Sequence, residues 1–404
     1  DAVTPPYVAQ IGDTPYATLA AAIEAAASGD TIQLLPGTIS EKVAPWSADP
    51  THAGEKSITI VGADNFSTKM TGGLYLGRDD SGCREHKVTI KGIAFEGKGI
   101  LVAGIKDVVI EGNKFTNIND YVSTSGSANK NAISVIGKNI NATVTDNVIE
   151  NVADCGIHLR DVKAVTVKNN TVIDAQDSSI IVNKSKDATG VTAVITNNTL
   201  TNWGFKGVGR AIRSTADSSF TATGNVMSST QIPEAIVKAT GVSVVDVSGN
   251  YWNGIDPTSA SSGEEGYFES DSSVDVVAAI KNYYTDAEKT NLVDVGAAQV
   301  GEKKYATLAG AIDAAEGQTV TLLKDVELTE ALTIPEGMTV TLDLNGNTIS
   351  GVSSASAATA VIVNEGNLTI KDSGTGGKIT TEAKNPDTAI SPTYANNVIN
   401  NKGT

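Results

Sequence analysis

The segment DCGIHLRD, residues 154–161, gathers the side chains best suited to chemistry in a chain with only three His and five Arg. His158 can act as a general acid or base, since an ordinary imidazole titrates near pH ~6.5. Asp154 and Asp161 flank it, and Arg160 shares its strand. Arg210 and Arg213 fall in neighbouring repeats. Together these groups suit binding or cleavage of an acidic or neutral glycan. Tyr75, Trp203, Phe205 and Trp252 add aromatic faces on which sugars stack, although caps and loops use such residues too. The plainer account of the cluster is a solvated polar face carrying salt bridges, and it is preferred.

Other chemistries fail on inspection. The 404-residue sequence has no P-loop, no CxxC zinc pair, no HExxH and no GxSxG. Its formal net charge of −16, with no basic run, excludes nucleic acid and anionic membrane surfaces as partners. No window of about 18 apolar residues is present, so no membrane insertion is expected.

The elements that position the cluster are repeats. EGNKFTN, TDNVIEN, KNNTVID, TNNTLTN, TGNVMSS and SGNYWNG align on Asn113, Asn147, Asn170, Asn198, Asn225 and Asn250, spaced by 34, 23, 28, 27 and 25 residues. Upstream of each lies a small residue and an Ile: Ile100, Ile133, Ile157, Ile180, Ile212 and Ile236. These Ile–Asn separations are 13, 14, 13, 18, 13 and 14 residues. A recurrence on this scale marks a solenoid. Between the landmarks run alternating β-branched segments such as VTVKNN and AVITNN, which read as strands. No repeat has room for a helix, so helical and leucine-rich solenoids are excluded and a parallel β-helix remains. Coils stacked about 4.8 Å apart place each Asn above the last, where a ladder of amides satisfies the chain at its bend.

Side-chain alternation then predicts two outward rows. One is Leu101, Ser134, His158, Ile181, Arg213 and Val237. The other is Ala103, Ile136, Arg160, Asn183, Thr215 and Ala239. Neither contains a carboxylate, whereas a glycoside hydrolase needs two carboxyl groups roughly 5–9.5 Å apart. A calcium-dependent lyase needs clustered acids beside a base.

YATLAAAIEAAAS, residues 16–28, predicts an amphipathic helix capping the first coil. The stretch 251–293, including VAAIKNYYTDAEKTNLV read as helical, is expected to close the other end. The cap recurs: VAQIGDTPYATLAAAIEAAASGDTIQLL at 8–35 matches AAQVGEKKYATLAGAIDAAEGQTVTLL at 297–323. TVTLDLNGNTISG and NLTIKDSGTGGKITT follow. The expected organisation is a β-helix domain over 1–293 and a second, shorter and truncated module over 294–404.

The cap helix, the NNTVID-type coils and GNYWNG resemble right-handed parallel β-helix proteins of the pectin-lyase-like fold. The YATLA…AI…AA cap with TLDLNGNTISG looks like repeat modules of large bacterial surface proteins. The resemblance implies an all-β, right-handed solenoid, secreted or at a cell surface, with a glycan or polysaccharide as partner. It is expected to be a monomer within a larger multi-module chain. A non-catalytic adhesion or display role is the first reading. A polysaccharide lyase or glycoside hydrolase acting around His158 is the alternative.

Acidic, Thr/Ser/Asn/Gly-rich and nearly Cys-free composition fits an extracellular protein, and Asp1 in place of Met suggests a mature or trimmed fragment. Cys83 and Cys155 either stay separate thiols or pair. No cofactor or metal centre is expected. Calcium is the one ion that acidic turns such as SGEEG (262–266) and RDDSG (78–82) would take, without an EF-hand or nonapeptide repeat to hold it.

Overall fold

A computed structural model describes residues 7–48, 51, 53–78, 83–122, 130–184, 189–232, 235–242, 244–258, 267–271, 273–274, 276–352, 360–382 and 398–404. The chain divides into two compact units, 1–293 and 294–404.

In the first unit the cap is a hairpin, a helix and a strand. Ala9–Ile11 pairs antiparallel with Thr14–Tyr16 and with Thr31–Leu34. Helix α1, Leu19–Ala25, starts at Thr18, whose side chain accepts from the Ala21 N–H at 3.1 Å. It buries Leu19, Ala22 and Ile23 on one face, which removes the apolar end of the solenoid from water.

Parallel coils follow. The first strands of successive coils pair Leu74, Ile100, Ile133, Ile157, Ile180 and Ile212 in one inward row. Second strands such as Ala164–Lys168 and Thr192–Thr196 pair in register beside them. Third strands such as Val148–Val152 and Thr171–Ala175 build a separate sheet.

The Asn series forms the ladder at the bend between second and third strands. Asn113, Asn147, Asn170, Asn198, Asn225 and Asn250 are all buried. Each Oδ1 from Asn147 onward accepts from the backbone N–H and the side-chain amide of the preceding member. For Asn170 these distances are 3.0 and 2.9 Å. The residue before each ladder Asn has a left-handed backbone: Gly112, Asp146, Asn169, Asn197, Gly224 and Gly249, with φ of 55–68°. Gly, Asn and Asp tolerate that conformation best. The doublet is therefore one left-handed corner residue followed by one ladder amide.

Two expectations are corrected at the end of the first unit. Val237, not Ile236, pairs with Ile212, so Lys238 takes the outward place beside Arg213, and Ala239 lies in the row of Val182 and Ser214. Helix α2 covers only Val276–Ile280; Lys281 then adopts φ 56°, and Asn282–Tyr284 is a strand paired with Asn250–Trp252. Phe268–Ser270 adds a further first strand, pairing Lys238 with Glu269.

The second unit repeats the cap with Ala298–Val300, Lys303–Tyr305 and helix α3, Leu308–Asp313, capped by Thr307. Thr319–Leu322, Thr339–Asp343 and Asn367–Lys371 then stack in parallel. Leu308, Ile312, Val320, Leu342 and Ile349 share its core.

Candidate functional site

The outward row of the first strands changes character along the solenoid. Tyr75, Leu101, Ala103 and Ile136 are covered by Val122 in a small outer apolar cluster. Tyr75 is only 4% exposed, so it presents no ring to a sugar. Trp203 and Trp252 are fully buried, and Trp252 packs edge-on against Phe268. Trp203 and Trp252 fill the interior and Tyr75 is buried in the outer cluster, which corrects Trp203 and Tyr75 as stacking residues. Beyond this covered zone the row continues through His158, Ile181, Arg213, Lys238 and Glu269.

His158 is 9% exposed. Its Nδ1 lies 3.2 Å from the Asn131 amide nitrogen and its Nε2 3.5 Å from that of Asn183. The Asn131 amide also donates to Ser134 Oγ at 3.1 Å, and its oxygen accepts from the Cys155 N–H at 3.0 Å. Burial, then the nearby Arg160 guanidinium, lowers the His158 pKa to about 4, with the Asp177 carboxylate opposing and Arg213 adding to the fall. The imidazole is neutral at physiological pH.

The acids expected to assist it lie elsewhere. Asp154 lies at the corner before the strand Ile157–Lys168, whereas Asp161 lies within it at a left-handed φ of 66°. Asp161 pairs with Arg160 at 3.5 Å, and Asp154 with Lys206 at 3.6 Å. Arg210 is buried and bonds Glu269 at 3.1 Å, and the Lys238 ammonium pairs with the same carboxylate. Arg213 is exposed.

Two acids at the site were not assigned to it from sequence: Glu269, and Asp177 of the IDAQD turn. Glu269 occupies the outward row itself, but its strand follows a Ser/Gly/Glu-rich stretch that reads as a closing segment. Asp177 sits one coil from Asp154 at the corner before the first strand, and its carboxylate accepts from Ser178 Oγ at 3.0 Å. Ligand atoms of Asp154, Cys155 and Asp177 all lie within 4.8 Å of one another. Burial raises the Asp154 pKa against the pull of Lys206, and Asp177 raises it further. Burial likewise drives the Cys155 thiol up, with Asp177 and Asp154 adding to it. The cluster sets two carboxyl groups beside a buried thiol. Cys83 and Cys155 are both free. The acidic turns proposed for calcium, 262–266 and 79–82, lie outside the described residues.

Residues 72–254 match a family model described as a right handed beta helix region. This segment is a right-handed β-helix. A search of curated proteins finds no match. Among solved structures, the β-helix is similar to the catalytic unit of a thermostable GH87 α-1,3-glucanase from Streptomyces thermodiastaticus strain HF3-3. That alignment has 13% identity and a TM-score of 0.30, and it covers 90% of this chain and 64% of that one. No activity is carried over from it.

Proposed function

We propose that this β-helix is a non-catalytic glycan-binding module of an extracellular or cell-surface protein, displaying the outward face from His158 to Glu269. The observation that carries this reading is the state of His158. It is buried, its pKa is lowered to about 4, its Nδ1 lies 3.2 Å from the donating Asn131 amide, and its flanking acids are paired to Lys206 and Arg160. A positioned acid–base residue needs a free nitrogen toward its substrate, whereas this imidazole serves the scaffold. The exposed Arg213, beside Lys238 and Glu269, supplies donors and acceptors for sugar hydroxyls. The acidic, Cys-poor composition supports an extracellular display role.

The enzymatic reading draws on one observation, the Asp154/Asp177 pair. A carboxyl group whose pKa is raised by burial, beside a second carboxylate, is the arrangement of a general acid and its partner. Binding and cleavage are separated by a glycan array and a polysaccharide-cleavage screen on the wild type, Arg213→Ala and Asp154→Asn. Binding lost in Arg213→Ala, with no cleavage by any form, is the result for a binding module. Product release abolished by Asp154→Asn establishes the enzyme.

A further inference from the structure

Away from the outward face, the bend between second and third strands opens into a groove of about 400 Å³ in the early coils. Gly62, Gly92 and Gly112 form its floor, and Phe66, Lys91 and Asp146 stand at its walls. A volume of this size falls in the range of small-ligand pockets, roughly 300–1,000 Å³.

The floor and the aromatic wall have different origins. At Gly62 a Cβ would meet the Gly92 carbonyl oxygen at 2.0 Å, so only glycine fits. Gly112 is not so constrained: at φ +61°, a Cβ would have nothing within 4 Å. The same corner in the following coils carries Asp146, Asn169 and Asn197 at φ 55–57°. The coil therefore accepts Asn or Asp at this place, and glycine at 112 leaves the groove open.

Phe66 is 43% exposed and has φ 57°, following Asn65 at φ 56°. Both features cost stability for a bulky apolar residue. Its turn is pinned from several sides. The Ala63 N–H donates to Thr68 Oγ1, and that hydroxyl donates to the Leu35 carbonyl, each at 2.9 Å. Ser67 Oγ donates to the Asp64 carbonyl at 2.7 Å. These bonds define the turn that carries the exposed ring.

The polar groups around it alternate in sign. Lys91 lies 3.6 Å from Glu111, both half-buried, and Asp146 accepts from the Asn169 amide at 3.0 Å. With Asp64, Glu111 and Asp146 against one ammonium, an anionic ligand is repelled. Lys91 offsets Glu111, Asn169 bonds Asp146 without neutralising it, and Asp64 stands beside them, so the groove keeps a net negative character and offers carboxylate acceptors to hydroxyl groups. A polyhydroxylated neutral ligand with one apolar face matches the remaining chemistry.

We propose that this groove binds a neutral oligosaccharide, with one pyranose laid by its C–H face on the Phe66 ring and its hydroxyls reaching Lys91, Glu111 and Asp146. The site is separate from the outward face and does not rest on the role given to that face.

The test is isothermal titration calorimetry of the full chain with cellotetraose, laminaritetraose and mannotetraose, and with trigalacturonate as the anionic probe. Phe66→Asn, Gly112→Asn, Arg213→Ala and Glu327→Gln are compared with the wild type, each with its thermal unfolding curve. At least one neutral tetrasaccharide binds the wild type, and trigalacturonate does not compete for it. Phe66→Asn weakens that binding by roughly tenfold or more while its melting temperature stays level or rises, because Asn tolerates the left-handed backbone. Gly112→Asn fills the groove with a residue its neighbouring coils already use and weakens binding likewise. Glu327→Gln, exposed in the second unit, leaves it unchanged, and any binding that Arg213→Ala removes belongs to the outward face. Absence of binding by all three neutral tetrasaccharides overturns the proposal. So does unchanged affinity in both groove variants, or a loss confined to Arg213→Ala. If Phe66→Asn lowers the melting temperature, Gly112→Asn decides alone.

Discussion

Truncating one rung of the amide ladder should damage the whole solenoid. In Asn170→Ala the buried Asn147 N–H loses its acceptor at 3.0 Å. The Asn147 side-chain amide keeps the Ile110 and Thr145 carbonyls as acceptors, so it is not orphaned. The Val144 and Lys168 carbonyls lose donors at 2.9 and 3.1 Å, and Asn198 Oδ1 loses one of its two. One stranded buried donor costs about 1–3 kcal/mol, and the under-satisfied carbonyls bring the total to about 2–4 kcal/mol. Guanidinium unfolding followed by circular dichroism measures it, with Asn169→Gly as control. That control keeps the left-handed corner and removes only an exposed amide bond to Asp146 at 3.0 Å, at a cost of a few tenths of a kcal/mol, about the usual surface effect. If Asn170→Ala falls within about 0.5 kcal/mol of the control, the ladder is not what holds the bend.

Two further outcomes follow from buried titratable groups. Because the folded pKa of His158 is lowered to about 4 while the unfolded value is near ~6.5, the unfolded state binds the extra proton between these values. Stability is therefore intact above pH ~6.5 and falls through the window down to about 4, by on the order of 3 kcal/mol. His158→Gln removes that dependence, and an NMR titration of the imidazole locates the midpoint. A thiol-reactive disulfide reagent on the native protein should modify Cys83 first, since Cys155 is buried with its thiol driven up; both should react after denaturation, and rapid native labelling of Cys155 contradicts the described packing.

Repetition made most of the fold readable. Two landmarks, an inward Ile and a ladder Asn, recur at near-constant separation because every coil must solve the same bend, and the left-handed residue before each Asn is visible as Gly, Asn or Asp. The duplicated cap was equally plain, since Leu19, Ile23, Leu308 and Ile312 carry the same buried helix face. The register slipped at Ile236 because two adjacent apolar residues offered the same inward place, and only pairing with Ile212 selects Val237. KNYY at 281–284 read as helix, although Lys281-Asn282 repeats the corner-and-amide pattern of GNYW; Asn282 Oδ1 accepts from the Gly249 N–H at 3.0 Å.

The candidate site was less legible. Alternation shows which side chains point out, but not what lies over them. Val122 covers Tyr75 and Leu101, and Asn131 reaches across to His158; both come from connections whose path no period dictates. Asp154 and Asp177 are separated by a whole coil in sequence and meet only because the corners stack. Phe66 belongs to no motif, Gly112 reads as one more repeat corner, and their groove exists only in three dimensions.

The most direct test of the non-catalytic reading is a combined glycan-array and polysaccharide-cleavage screen of the wild type beside His158→Ala/Arg160→Ala, Arg213→Ala and Asp154→Asn. The account predicts glycan binding without product release, weakened by Arg213→Ala. Release of sugar products by the wild type, lost in Asp154→Asn or His158→Ala/Arg160→Ala, would contradict it.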